Sequence, residues 1–352
     1  MFGIYRTMLA FWVMIFHLLP VPVIGGYAVF SFFILSGFLM TTIMHESYGY
    51  SRMGMKNYAL NRFLRLYPMY WVVCIVSIVL IVVLGAEYAY NYKGDLVIPT
   101  VLSSIFFNFT MIFPALFPGD ITPRLSPPTW ALTIEICFYI LIALGISKTY
   151  KRTLLWLAIS IIYFAATYLF SLDGAHRYSS IFAASLPFAL GALVFFNKQQ
   201  LFLFLQRIKL SNPWLLFAIY IANAFFFTMN SYYKPFDVSG ALGDLGKYLN
   251  IVLSVFMVVV LFYRGKELCS KKIDKFMGDF SYPVYLLHWQ AGLLASFILY
   301  QTPSRTLDMA GLTAFALATA FVVLFSYGLI LLVDNSVSNI RNKIRSNSQK
   351  EV

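Results

Sequence analysis

Residues 98–118 read IPTVLSSIFFNFTMIFPALFP, and whether they cross a membrane decides how the rest of the chain is threaded. The apolar run Ile105 to Phe117 invites that reading, but Pro114 breaks it and Pro118 closes it. Proline removes a backbone donor and clashes with the turn before it, so an unbroken helix through this run is disfavoured. Counting the stretch as a span would also invert every later loop. The charges in those loops therefore test the choice.

The 352 residues are 60% hydrophobic and 11% charged, a balance no water-soluble fold can hide. Ten apolar helices are expected, over 6–22, 25–44, 67–86, 129–146, 153–171, 179–196, 212–230, 247–263, 281–300 and 309–333. With 98–118 not crossing and the N-terminus in the cytoplasm, 20 Lys and Arg fall in cytoplasmic segments. Only Lys93, Arg124, Arg177, Lys234, Lys247 and Arg305 fall outside. That asymmetry follows the positive-inside rule and puts both termini in the cytoplasm. The fold class is thus all-α, a polytopic transmembrane bundle. Residues 1–333 form its membrane domain, and 334–352 a short polar cytoplasmic tail. The 98–118 stretch is expected to be re-entrant or to lie at the outer interface, shielded by protein or water.

Composition and spacing exclude several classes. Arg6 before an apolar run suggests a signal peptide, but no small-residue cleavage site follows before the next run, so a retained first helix is expected. Cys74, Cys137 and Cys269 have neither metal-ligand nor redox spacing. The net charge of +12 is scattered over loops rather than gathered in a nucleic-acid-binding domain. No metal is expected, because the four histidines show no ligand spacing.

Ionisable residues well inside the apolar runs are His17, Glu135 and His288. Such groups are costly in a bilayer and usually face a bundle interior or a wet cavity, although a histidine can also serve as a hydrogen-bonded strut between helices. Arg6 and His17 lie eleven residues apart, three helical turns plus about 20°, so they share a face and are separated by ~16 Å along the axis. A cavity along that face would join the cytoplasm to the midplane. Arg62 and Arg65 are neighbours at i and i+3 on the same side as Arg6, where three guanidinium groups could hold a polyanion or reach for lipid headgroups. Glu135 sits ~9 Å inside its helix and could orient an imidazole if a histidine were near. Ser36 and Gly37 suit close helix packing, and no Gly-x-Ser-x-Gly elbow marks a nucleophile. Ser281 and Pro283 suit the cap and first turn of a helix starting there.

Taken in order, these motifs resemble the acyltransferase-3 family of integral membrane acyltransferases. They are Arg6 with His17, Gly25-Gly26 then Phe32-Phe33-Ile34-Leu35-Ser36-Gly37-Phe38, and Arg62-x-x-Arg65 with Pro68. Thr129-Trp130-Ala131-Leu132-Thr133-Ile134-Glu135 and Ser281-Tyr282-Pro283-Val284-Tyr285-Leu286-Leu287-His288 complete the set. The resemblance implies transfer of an acyl group, most often acetyl, from acyl-CoA to a hydroxyl of a glycan or lipid-linked saccharide. It also implies a multi-pass protein among the lipids of a bacterial inner membrane. His17 would be the catalytic residue with Glu135 beside it, and Arg6, Arg62 and Arg65 would bind CoA. Trp130 and His288 would support them. Two departures are Gly25-Gly26-Tyr27 where a Gly-Val pair is commoner, and no hydrolase-like domain after the last helix. A transporter or flippase with a buried His/Glu relay is the competing reading, weakened by the lack of internal symmetry.

Overall fold

A computed structural model describes residues 2–233 and 244–349, and every regular element among them is helical. Lys234, one of the six basic residues expected outside, lies beyond the described residues. The helices are α1 (Gly3–Leu18), α2 (Ile24–Ile43), α3 (Arg52–Leu84), α4 (Ala86–Tyr92), α5 (Leu102–Thr110), α6 (Thr129–Ala143) and α7 (Tyr150–Leu169). They continue with α8 (Ile181–Arg207), α9 (Pro213–Tyr233), α10 (Leu245–Arg264), α11 (Lys271–Tyr300), α12 (Met309–Leu329) and α13 (Asn335–Ser348). Seven of them, alone or with a short continuation, are long and apolar enough to cross a membrane: α2, α3, α7, α8, α9, α10 and α12. Shorter apolar α1 and α6, together with α11, complete the ten helices expected from hydropathy. The chain is a helical membrane bundle.

The bundle is built around α11. Residues 280–293 are buried without interruption, so this stretch presents no face to lipid. α1, α3 and α12 pack around it. α1 runs parallel to α11: the Gly3 amide donates to Asp274 Oδ1 at 2.8 Å, and fourteen residues further along each helix His17 meets His288. α2 and α8 cross on reciprocal glycines. A Cβ on Gly37 would lie 2.2 Å from the Phe188 carbonyl oxygen, and one on Gly191 1.9 Å from that of Ile34. Small residues thus let the two backbones touch where dispersion and packing must replace the hydrophobic effect.

The loops sort into two ends. At the basic end His45 Nε2 donates to the Ser147 carbonyl at 3.1 Å, Glu46 pairs with Lys198 at 3.9 Å, and Arg264 donates to the Ser211 carbonyl at 3.1 Å. At the opposite end Asp244 is shared by Arg177 and Lys247, and Asp95 by Lys93 and Arg124.

Residues 98–118 do not cross. α5 has nine residues, about 14 Å of helix against a hydrocarbon core of about 30 Å. It descends to the middle of α3, where Tyr67, Tyr70 and Trp71 donate to the carbonyls of Thr110, Asn108 and Phe109 at 2.7, 2.6 and 2.9 Å. Those carbonyls end a helix and would otherwise be unpaired. The chain then turns at Met111, with φ 55°, and climbs back. Asn108 ties the two arms, donating to the Pro123 carbonyl at 2.8 Å and accepting from the Leu125 amide at 2.8 Å. Of the two expected placements, the segment is re-entrant.

Several boundaries differ from expectation. α1 ends at Leu18 rather than 22, so His17 occupies its last turn. α3 begins at Arg52, capped by Ser51, and carries Pro68 inside it, so Arg62 and Arg65 ride a continuous helix. α11 begins at Lys271, capped by Ser270. Ser281 is therefore no cap: it lies mid-helix, donating to the Gly278 carbonyl at 2.9 Å. The polar tail contains α13, which packs along α3 as Asn61 donates to the Arg341 carbonyl at 3.0 Å.

Candidate active site

At the basic end a cavity of about 360 Å³ opens between α1, α2, α3, α6, α11 and the segment after α12. Arg6, Arg62 and Arg65 all line it. Arg6 has no hydrogen-bond or ion-pair partner for its guanidinium among the described residues. Arg62 donates to Asn61 Oδ1 at 2.7 Å, and its Nε is buried without a partner. Arg65 binds Asp334 at 2.9 Å, and Arg341 approaches the same carboxylate at 3.5 Å. Lys275 adds a fifth cation, against the carboxylates of Glu135, Asp279 and Asp334. An excess of guanidinium with donors to spare is an anion site of forked geometry.

Glu135 belongs to this cavity. Its carboxylate accepts hydrogen bonds from Ser36 and Tyr139. The expected pairing of Glu135 with His17 is not formed, because the two line different cavities. Arg6 and His17 likewise line separate cavities. Phe32 and Tyr285, ring centroids 6.2 Å apart, line the Arg6 cavity, and the Tyr285 hydroxyl donates at 2.8 Å to the carbonyl of Pro128, which lines the His17 cavity.

His17 lines a second cavity, of about 390 Å³, at the opposite end, with Trp130 and Trp289 among its walls. His17 Nδ1 lies 2.9 Å from His288 Nε2, with the rings 5° from parallel. That nitrogen–nitrogen distance is too short for stacked planes, so the rings meet edge to edge in a hydrogen bond. The tautomers follow from the next link. His288 is fully buried, and its Nδ1 lies 3.4 Å from the Val284 carbonyl, which can only accept. Nδ1 of His288 then carries the proton, its Nε2 accepts from His17 Nδ1, and His17 Nε2 is left with a lone pair. A buried partner that fixes the tautomer of an imidazole does the work usually given to a carboxylate. Here that partner is His288, 271 residues away in sequence.

Cations surround this cavity as well. Asp95 binds Arg124 at 2.8 Å and Lys93 at 3.1 Å. Arg305 lies over Trp289 at 4.9 Å and over Tyr92 at 5.4 Å. Burial pushes both arginines below their ordinary pKa, while Asp95 pulls Arg124 back up and Tyr92 does the same for Arg305.

Of the residues singled out in the sequence, the fold gathers Arg6, Arg62, Arg65 and Glu135 in one cavity, and His17, Trp130 and His288 in or against the other. Sequence reasoning missed Lys275, Asp334 and Arg341, which lie in stretches read as loop or tail. It also passed over Lys93 and Arg305. Their signal was rarity, since each is one of only six basic residues on a side otherwise kept free of them.

Residues 4–331 match the family of acyltransferase domains designated Acyl_transf_3. Over 298 residues the chain is 24% identical to the Bacillus subtilis (strain 168) protein named "Putative peptidoglycan O-acetyltransferase YrhL". That alignment covers 77% of this chain and 45% of the relative, so the chain spans about half the relative's length. No solved structure matches. With the motifs in order and the family match running through nearly all of the bundle, the chain belongs to the acyltransferase-3 family.

Proposed function

We propose that this chain moves an acyl group, most often acetyl, from acyl-CoA to a hydroxyl of a glycan or lipid-linked saccharide. It would do so in a bacterial cytoplasmic membrane, with its basic end toward the cytoplasm. The observation that carries this reading is the ordered His17–His288 pair, which leaves His17 Nε2 able to take a proton or attack a carbonyl. The unpaired guanidinium of Arg6 and the spare Nε donor of Arg62 support a phosphate-bearing donor at the other end of α1. The eleven-residue offset from Arg6 to His17 sets a reach of ~16 Å for the donor's arm, which has to pass between the two cavities where Phe32 and Tyr285 lie. A relative named for O-acetylation of peptidoglycan supports a cell-wall or surface glycan as acceptor.

An acceptor hydroxyl is far too weak an acid to ionise unaided. As its oxygen attacks the thioester carbonyl, His17 Nε2 takes the proton. The carbon–sulfur bond breaks, and the proton passes to the departing thiolate, giving an O-acyl ester and free CoA. Such proton transfer contributes about 10² to 10⁴-fold. The same lone pair could accept the acyl group first and then pass it to the hydroxyl. His288 keeps it available in either sequence.

The test is transfer of radiolabel from [14C]acetyl-CoA to glycan by the purified protein in nanodiscs. Label that depends on acetyl-CoA and is released by mild alkali, as an ester is, supports the reading; no transfer to any glycan fraction overturns it. A wild-type protein that retains label when acceptor is withheld uses the two-step route.

A further inference from the structure

The cations at the end opposite the CoA-type cavity are few, and their partners separate them. Arg177 and Lys247 share Asp244, at 3.2 and 3.0 Å. Arg124 is held by Asp95 at 2.8 Å and donates to the carbonyl of Pro127 at 3.1 Å. Its role is to pin the loop between α5 and α6. Lys93 has the remainder of Asp95, at 3.1 Å, and lies 5.4 Å from the centroid of Trp289. Arg305 has no carboxylate and no hydrogen-bond acceptor among the described residues, only the faces of Trp289 and Tyr92. Neither Lys93 nor Arg305 is fully exposed, and both line the His17 cavity.

Positive charge on this side works against the rule that orients the chain, so a guanidinium kept here without an acid partner has to be accounted for. Cation–π contact with Trp289 holds Arg305 in position and leaves its five N–H donors free for a planar anion. Asp95 offsets one of the three cations, so the cavity keeps net positive charge with His17 neutral. A purely neutral acceptor would leave that charge unmatched beside the reacting group.

We propose that the acceptor is an anionic saccharide, whose carboxylate or phosphate is held by Arg305 and Lys93 while a hydroxyl faces His17. This rests on the acyl-transfer reading for the hydroxyl's fate, but the grip on the anion can be measured without any transfer. Arg305 lies in the loop between α11 and α12, so its replacement leaves the packed helices intact.

The experiment uses the full chain in phosphatidylcholine nanodiscs, with saturation-transfer NMR to obtain dissociation constants. The probes are cellobiouronic acid, its methyl ester and cellobiose 6-phosphate. Both anionic disaccharides are expected to bind about ten-fold more tightly than the ester, as a charge-assisted contact allows. R305Q removes that preference, R305K keeps part of it, and K93Q halves the logarithm of the ratio. Unchanged acetyl-CoA affinity in each variant shows that the bundle has folded. Equal binding of acid and ester by the wild type overturns the proposal, as does an R305Q protein that keeps the preference. Phosphatidylglycerol retained by the wild type in native mass spectrometry and lost from R305Q, with saccharide binding indifferent to charge, assigns the site to a lipid headgroup and overturns it too. Failure of acyl transfer with the anion preference intact would instead count against the acyl-transfer reading alone.

Discussion

The two cavities solve opposite problems with the same pair of parallel helices. At the basic end α1 and α11 contribute Arg6 and Lys275 to a cluster of five cations and three carboxylates, where charge dominates. At the other end they contribute His17 and His288, two imidazoles linked by one hydrogen bond, and the position of a proton is what matters. In the proposed mechanism, gripping the donor and performing the chemistry are separated along α1. A carboxylate placed beside His17 would have charged it. A neutral, buried imidazole orders the proton without adding charge to a site sunk among aromatic rings.

The comparison predicts that changes at one end should leave the other's readout intact. The largest of these effects is expected from His288→Ala, which frees the His17 ring and costs about 10²-fold in turnover through misorientation. His288→Asn offers an acceptor to His17 Nδ1 and should recover part of that loss. CoA affinity stays unchanged in both, and equal turnover by the Ala and Asn variants would make His288 a packing residue. Next comes Arg62→Lys, which keeps the charge but loses the fork, and should weaken CoA binding about ten-fold by isothermal titration without altering the pH profile of turnover. The smallest effect is Glu135→Gln. Removing a negative charge from the cation cluster should strengthen CoA binding by a few-fold, because the phosphates then meet less repulsion. Loss of turnover at saturating CoA would return Glu135 to the chemistry.

Much of this was legible in the sequence, and the exceptions have physical causes. The spans and their alternation follow from hydropathy and loop charge, and the same charges, with Pro114 and Pro118, argue that 98–118 does not cross. What hydropathy cannot see is a helix that continues into charged residues. α3 looked as if it began near Tyr67 because Lys56, Arg62 and Arg65 lower the average and Pro68 resembles a start, yet its cap is Ser51. The same confusion moved the start of α11 from Ser270 to Ser281, since Ser-x-Pro reads equally well as a cap and as the interior of a helix. Arg6, Arg62 and Arg65 could be grouped by side alone. The partner of His17 could not, because only packing decides whether Glu135 or His288 touches it. Ser36, read as a packing residue, instead donates to Glu135 at the cavity wall.

The most direct measurement is made on His17→Gln, reading CoA affinity and single-turnover acetyl transfer from one preparation. Glutamine keeps bulk and hydrogen bonding but cannot take a proton near neutral pH. Binding should match the wild type while transfer falls by about 10² to 10⁴-fold. Near-normal transfer would contradict the account, because the ordered imidazole pair would then be a strut between α1 and α11 rather than the reacting group.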